Sequence, residues 1–186
     1  MLSSSYKPTP GRFLISEPFM HDYNFKRSVV LLVEHNAQGS MGFVMNRQLN
    51  VAISEVVEGM PSLESPVFMG GPVEQSTLHF VHRLGDLPGA RPVCHGVYWG
   101  GNFEDLKRKI SLGHVDPADV LFFVGYSGWG PNQLEQELAR KSWIIAPEAP
   151  YFVFQPDYSD MWRQVLQSMG TKYRVISNYP VDPRMN

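Results

Sequence analysis

Apolar positions along this chain fall into short dense runs separated by glycine, proline and polar pairs, and only a few runs repeat with a helical period. Residues 28–34 (SVVLLVE) are β-branched and apolar over nearly their whole length, which predicts a central strand covered on both faces. Residues 12–16 (RFLIS) predict an earlier strand and residues 41–46 (MGFVMN) a later one. A turn at 36–39 makes 28–34 and 41–46 a hairpin with a loop of moderate length. Residues 51–57 predict a short helix, and VFMGG, TLHFVHR and VCHGVYWGG supply three more strand candidates bounded by Pro, Gly or Asp.

The next helix is predicted over 103–110, with Asn102 as its cap and Asp105 in its first turn. Phe122, Phe123 and Val124 then read as a strand that ends in a glycine-rich turn, Gly125 to Gly130, before a helix over 133–140. Two starts compete for that helix. One is a capping box from Asn132 to Glu135, and the other is Gly130 as cap with Pro131 in the first helical position. A further helix is expected over 159–168, with WIIA and KYRVI as late strands. Strands in clusters with helices between them predict an α+β fold, a mixed and largely antiparallel sheet with helices packed against it, rather than a repeating βαβ chain. Residues 1–10 read as a loose polar leader and residues 11–186 as a single domain, with no internal repeat and no long linker.

Composition changes this picture in four places. A chain of 186 residues with 43% hydrophobic content can bury a sizeable core. Sixteen basic residues against 18 acidic ones give no general attraction to nucleic acid or to an anionic membrane. No run approaches the roughly 18–20 apolar residues of a membrane span, so a cytoplasmic protein with no membrane partner is expected. The single cysteine, Cys94, excludes an internal disulfide framework and a multi-cysteine metal site.

Candidate chemistry is sparse. His79 and His82 lie three apart on a predicted strand and point to opposite faces, and Cys94 and His95 have the same problem, so no metal is expected. Ser127 has Gly125 before it but Trp129 where a nucleophile elbow needs a second glycine, which makes it a structural turn serine. Gly70 and Gly71, followed by Pro72, read as a fixed turn without a phosphate-binding motif, and no cofactor is predicted. An anion at the amino end of the helix beginning near Gln133 remains physically open. Asn46 and Arg47, where MGFVMN ends, are the best polar candidates, because a strand end hands side chains to solvent and Arg presents a planar fork to carboxylate or phosphate. The alternative is that Asn46 closes a turn and Arg47 pairs with an acidic neighbour. Trp129 and Trp143 either bracket the 133–140 helix as core aromatics or, if Trp129 is exposed, form a recognition surface. Lys107, Arg108 and Lys109 read as a solvated helix face, and Glu135 and Glu137 offset Arg140 and Lys141, so direct DNA contact is not expected.

Five segments, residues 11–35, 39–47 (GSMGFVMNR), 68–73 (FMGGPV), 78–83 (LHFVHR) and 125–143, together resemble the bacterial YqgE/AlgH family (UPF0301) over most of residues 11–145. That family's pattern usually carries Ala at the positions of Ser40 and Ser127. The resemblance implies an AlgH-like α+β domain, some members being labelled transcriptional regulators. A sequence with no nucleophile beside an evident base, no metal set and no cofactor cradle leads to the expectation of a non-catalytic binding or regulatory role. His82 falls at a recurrent family position, although a hydrogen-bonded sheet histidine is the preferred reading. The residues carried forward as ligand- or partner-binding candidates are Asn46, Arg47, Gly70, Gly71, His82, Ser127, Trp129 and Gln133. An enzymatic alternative, a hydrolase or transferase, would use His82 with groups around Asn46 and Arg47. The expected partner is an unidentified protein or small molecule, and a homodimer is among the assemblies to test.

Overall fold

Strand alternation sorts the apolar side chains of this chain onto two faces of one sheet, and the computed structural model, which describes residues 6–181, shows what covers each face. The strands are β1 (Phe13–Ser16), β2 (Val29–Asn36), β3 (Gly39–Val44), β4 (Gln48–Leu49), β5 (Val67–Met69), β6 (Val73–His82), β7 (Arg91–Cys94), β8 (Val97–Trp99), β9 (Val120–Trp129) and β10 (Trp143–Ile145). The helices are α1 (Ile53–Val56), α2 (Phe103–Ser111), α3 (Gln133–Ala139), α4 (Met161–Ser168) and α5 (Thr171–Ser177). The sheet runs β10-β1-β2-β3-β9-β6-β8-β7, with β4 and β5 branching from β9. Every pairing is antiparallel except β5 with β9, so the fold is α+β.

On one face Phe13, Ile15, Leu31, Phe43 and Phe123 pack with Trp162, Val165 and Leu166 of α4 and Ile176 of α5. The opposite face is divided. Leu14, Val30, Leu32 and Val44 pack with Leu134 of α3, whereas Phe80, Val120 and Phe122 pack with Ile53 of α1 and with Leu106 and Ile110 of α2. Each such fully buried side chain contributes about 1.5–3 kcal/mol. Asn102 caps α2 as expected, its Oδ1 accepting from the Asp105 N–H at 3.0 Å.

Several local expectations are corrected. The glycine-rich segment is not a turn, because β9 continues through Gly125 and Gly128 to Trp129. Gly125 takes φ +67 inside the strand, where the carbonyl oxygens of Gly71 and Val73 leave no room for a Cβ. KYRVI is helical. Tyr173, Ile176 and Ser177 recur at helical spacing, so packing against α4 overrides the β-branched composition. VCHGVYWGG is a hairpin, with a turn at His95 and Gly96 joining β7 to β8. The β2–β3 loop has only Ala37 and Gln38. Of the two predicted starts of α3, Asn132 is the cap residue but without the capping box: it takes φ +60 and makes no side-chain cap bond, and Gln133 Oε1 instead accepts from the Gly130 N–H at 2.9 Å. Of the predicted leader, residues 1–5 lie outside the described residues. Arg12 reaches the rest, donating to the Lys7 carbonyl at 2.8 Å and lying over the Tyr6 ring.

The sheet forks at β9. β3 pairs with β9 from Trp129 back to Ser127, and β5 takes its place from Val124 to Phe122. Gly70 sits in the fork, where its N–H donates to Val124 O and its carbonyl accepts from Val44 N and Ser127 Oγ. A Cβ on Gly70 would overlap the Gly125 carbonyl, and one on Gly71 would overlap the backbone of Tyr126.

Candidate functional site

A cavity of about 520 Å³ opens beside this fork. Its walls come from the segment before β2 (Tyr23, Asn24, Lys26, Arg27), the end of β3 and the residues after it (Val44, Arg47), β5 and its exit (Met69, Gly71, Pro72), Gln75 of β6, and Val181. The hairpin explains why the cations meet. Continuing the Val30↔Val44 register outward by three residues sets Arg27 opposite Arg47. Asn46 fixes this junction, with Oδ1 accepting from Val29 N at 3.0 Å and Nδ2 donating to Arg27 O at 2.8 Å. Arg47 Nη2 donates to the Lys26 carbonyl.

Charge in the cavity is one-sided. Among the described residues Lys26, Arg27 and Arg47 line it and no carboxylate does. None of the three forms an ion pair among the described residues. The Arg27 guanidinium stacks over Trp162 at 4.6 Å and donates through Nη2 to the Tyr179 carbonyl. Its Nε is buried and has no hydrogen-bond partner among the described residues. Burial, and secondarily the charge of Arg163, pull the Arg27 pKa below its ordinary value. Arginine side chains stay protonated at neutral pH, so among the described residues the cavity has three cations and no internal counter-charge.

The sequence candidates divide around this geometry. Arg47 and Gly71 line the cavity, Asn46 holds its wall, and Gly70 and the fully buried Ser127 lock the fork behind it. Among the described residues Arg47 does not pair with an acidic neighbour. His82 is elsewhere. It is fully buried on β6, accepting from Leu84 N at Nδ1 (3.1 Å) and donating from Nε2 to the Gly100 carbonyl (2.7 Å), so neither ring nitrogen is available as a base. Desolvation lowers its pKa, opposed in part by the bond to Gly100.

Trp129 is 5% exposed, which removes the recognition patch expected around it. Its indole N–H and that of Trp143 both donate to Glu137 Oε2, at 2.9 and 2.7 Å, clamping α3 to β9 and β10. Gln133 bonds Gly130 N and Glu137 Oε1 and is part of the same clamp. Lys107, Arg108 and Lys109 on α2 pair with Glu104, Asp105 and Asp86. Ser40 Oγ lies 2.7 Å from His35 Nδ1, but the nearest Glu135 oxygen is 3.6 Å from Nε2, too far to orient the ring by a hydrogen bond. Among the described residues no group of three or more His, Cys, Asp and Glu is placed to hold a metal ion, and no helix is long and apolar enough to cross a membrane.

Sequence reasoning missed Lys26, Arg27, Tyr23 and Gln75. For the first two a signal existed, since FKR directly precedes β2 and MNR directly follows the β3 core, and an antiparallel hairpin must bring such flanks together.

Comparison with known proteins agrees with this architecture. A model described as AlgH-like matches residues 13–174. A UPF0301 protein of Chlorobium limicola is 41% identical over 187 residues, covering all of both chains. One from Cytophaga hutchinsonii is 46% identical over 96% of this chain and 99% of its own. Among solved structures, a crystal structure of a Corynebacterium diphtheriae protein superposes with a TM-score of 0.81 at 24% identity, over 95% of each chain. The solution structure of the AlgH protein from Pseudomonas aeruginosa does so with a TM-score of 0.70 at 28% identity, over 92% of this chain and 96% of that one.

Proposed function

We propose that this chain, which belongs to the AlgH-like family, is a cytoplasmic binding protein that holds an anionic small molecule in the cavity beside Arg47 rather than a catalyst. The observation that carries the reading is the convergence of Lys26, Arg27 and Arg47 on one cavity with no carboxylate among its described lining residues. Three cations gathered without a counter-charge repel one another, and an anion with several acceptor oxygens would relieve that repulsion. Volume supports the reading as well, since small-molecule sites commonly run from about 300 to 1,000 Å³. Direct contact with DNA is not part of the proposal, because the basic run on α2 is already paired.

The test is native mass spectrometry of the protein isolated gently from its own cells, beside Arg47→Gln and Lys26→Gln variants. A reproducible mass excess on the parent that is lost in both variants is the expected result. A bare chain, a bare homodimer, or a chain carrying only a second protein would overturn the small-molecule reading.

A further inference from the structure

We infer that the ligand of this cavity is a nucleoside 5′-monophosphate, an inference that rests on the binding role proposed above. Three parts of the wall ask for three parts of such a molecule. The cations Lys26, Arg27 and Arg47 suit a dianion, and a terminal phosphate offers three acceptor oxygens to guanidinium forks that already spend one donor each on the Lys26 and Tyr179 carbonyls. Val44, Met69, Pro72 and Val181 form apolar walls that would desolvate part of the ligand, which a free phosphate or a sugar phosphate cannot exploit.

Tyr23 supplies the third part. Tyr23 is 88% exposed on the short turn at Tyr23–Phe25, lines the cavity, and stacks on no other ring among the described residues. An aromatic side chain left in water at the rim of a cationic cavity is a platform for a flat ring, as in proteins that hold bases by stacking. Asn24 and Gln75 line the same cavity, and each amide both donates and accepts, which matches the mixed edge of a nucleobase. The turn is itself fixed, with the Asp22 carboxylate capping it by accepting from the Asn24 N–H at 2.9 Å.

Isothermal titration of the purified full chain with adenosine 5′-monophosphate, adenosine, inorganic phosphate and an adenosine trinucleotide tests this. The monophosphate is expected to bind at least about tenfold more tightly than either phosphate or adenosine. Tyr23→Ala should weaken the monophosphate about tenfold while leaving phosphate unchanged, and Lys26→Gln should weaken both. Tyr23 and Lys26 make no side-chain hydrogen bond or ion pair among the described residues, so both variants should fold; matching thermal transitions would establish that. Phosphate binding as tightly as the monophosphate, with both insensitive to Tyr23→Ala, would overturn the nucleotide inference and leave the anion cavity standing. No binding of any probe in the parent would overturn the inference, whereas the mass excess described above would still decide the binding role. Tighter binding of the trinucleotide than of the monophosphate would overturn the free mononucleotide as ligand.

Discussion

Asn46→Ala tests whether the cavity wall is held by Asn46 or whether Asn46 serves a ligand directly. In the parent the side chain bridges two backbone groups across the β2–β3 hairpin, accepting from Val29 N at 3.0 Å and donating to Arg27 O at 2.8 Å. Val29 is fully buried, so alanine leaves its N–H without an acceptor where water does not reach. Two lost bonds at about 0.5–1 kcal/mol each, plus about 1–2 kcal/mol for stranding the buried donor, give a loss of about 2–4 kcal/mol. For a chain of this size that corresponds to about 4–16 °C in Tm. Urea denaturation followed by tryptophan fluorescence measures the loss, and an unchanged m-value shows that it lies in stability. Asn46→Asp keeps the acceptor for Val29 but turns an oxygen toward the Arg27 carbonyl, and should lose at least half as much. A loss of less than about 0.5 kcal/mol in Asn46→Ala would refute the bridging argument and return Asn46 to the ligand-contacting alternative.

Two further expectations follow from buried polar groups. Glu137→Ala leaves two nearly buried indole N–H groups without an acceptor and should cost about 2–4 kcal/mol, with Glu137→Gln retaining more than half of that; near-ultraviolet circular dichroism during urea unfolding would expose an intact tryptophan pair and thereby contradict the clamp. Burial lowers the pKa of His82 and of His79 below the ordinary 6.5, so the folded state resists protonation more than the unfolded chain does, and stability should be full above about pH 6.5 and decline as pH falls beneath it. A thermal scan series from pH 7.5 to 5 that slopes the other way, or a His82→Gln variant with the parent's slope, would show that these histidines do not govern the acid side.

The elements legible in the sequence are those whose local pattern and tertiary role agree. SVVLLVE is β2 because both faces of that strand are covered, and Asn102 is a cap because its side chain needs nothing beyond its own first turn. The misreadings arise where a distant partner decides. Glycines 125 and 128 read as a turn until β3, β5 and β6 are seen to crowd β9. KYRVI reads as a strand until α4 offers it a helical groove. At the cavity, Arg47 and Gly71 were legible because each ends a recognisable strand, whereas Lys26 and Arg27 drew no notice because their relation to Arg47 exists only in hairpin register. Trp129 and His82 misled for the opposite reason, since polar or aromatic character alone does not reveal that Glu137, Gly100 and Leu84 already occupy them.

The fork at β9 also sets a timetable for making the molecule. β3, β5 and β6 all lie upstream in the chain, yet each needs β9 along one side. At a synthesis rate of about 5–20 residues per second, the ribosome has released the end of β6 several seconds before β9 has followed it. Through that interval three strands carry an open edge rich in Phe, Val and Met, the kind of surface that pairs with other nascent chains. One ten-residue segment therefore closes both halves of the sheet at once, and a growing chain stalled before residue 120 would be the species most in need of a chaperone.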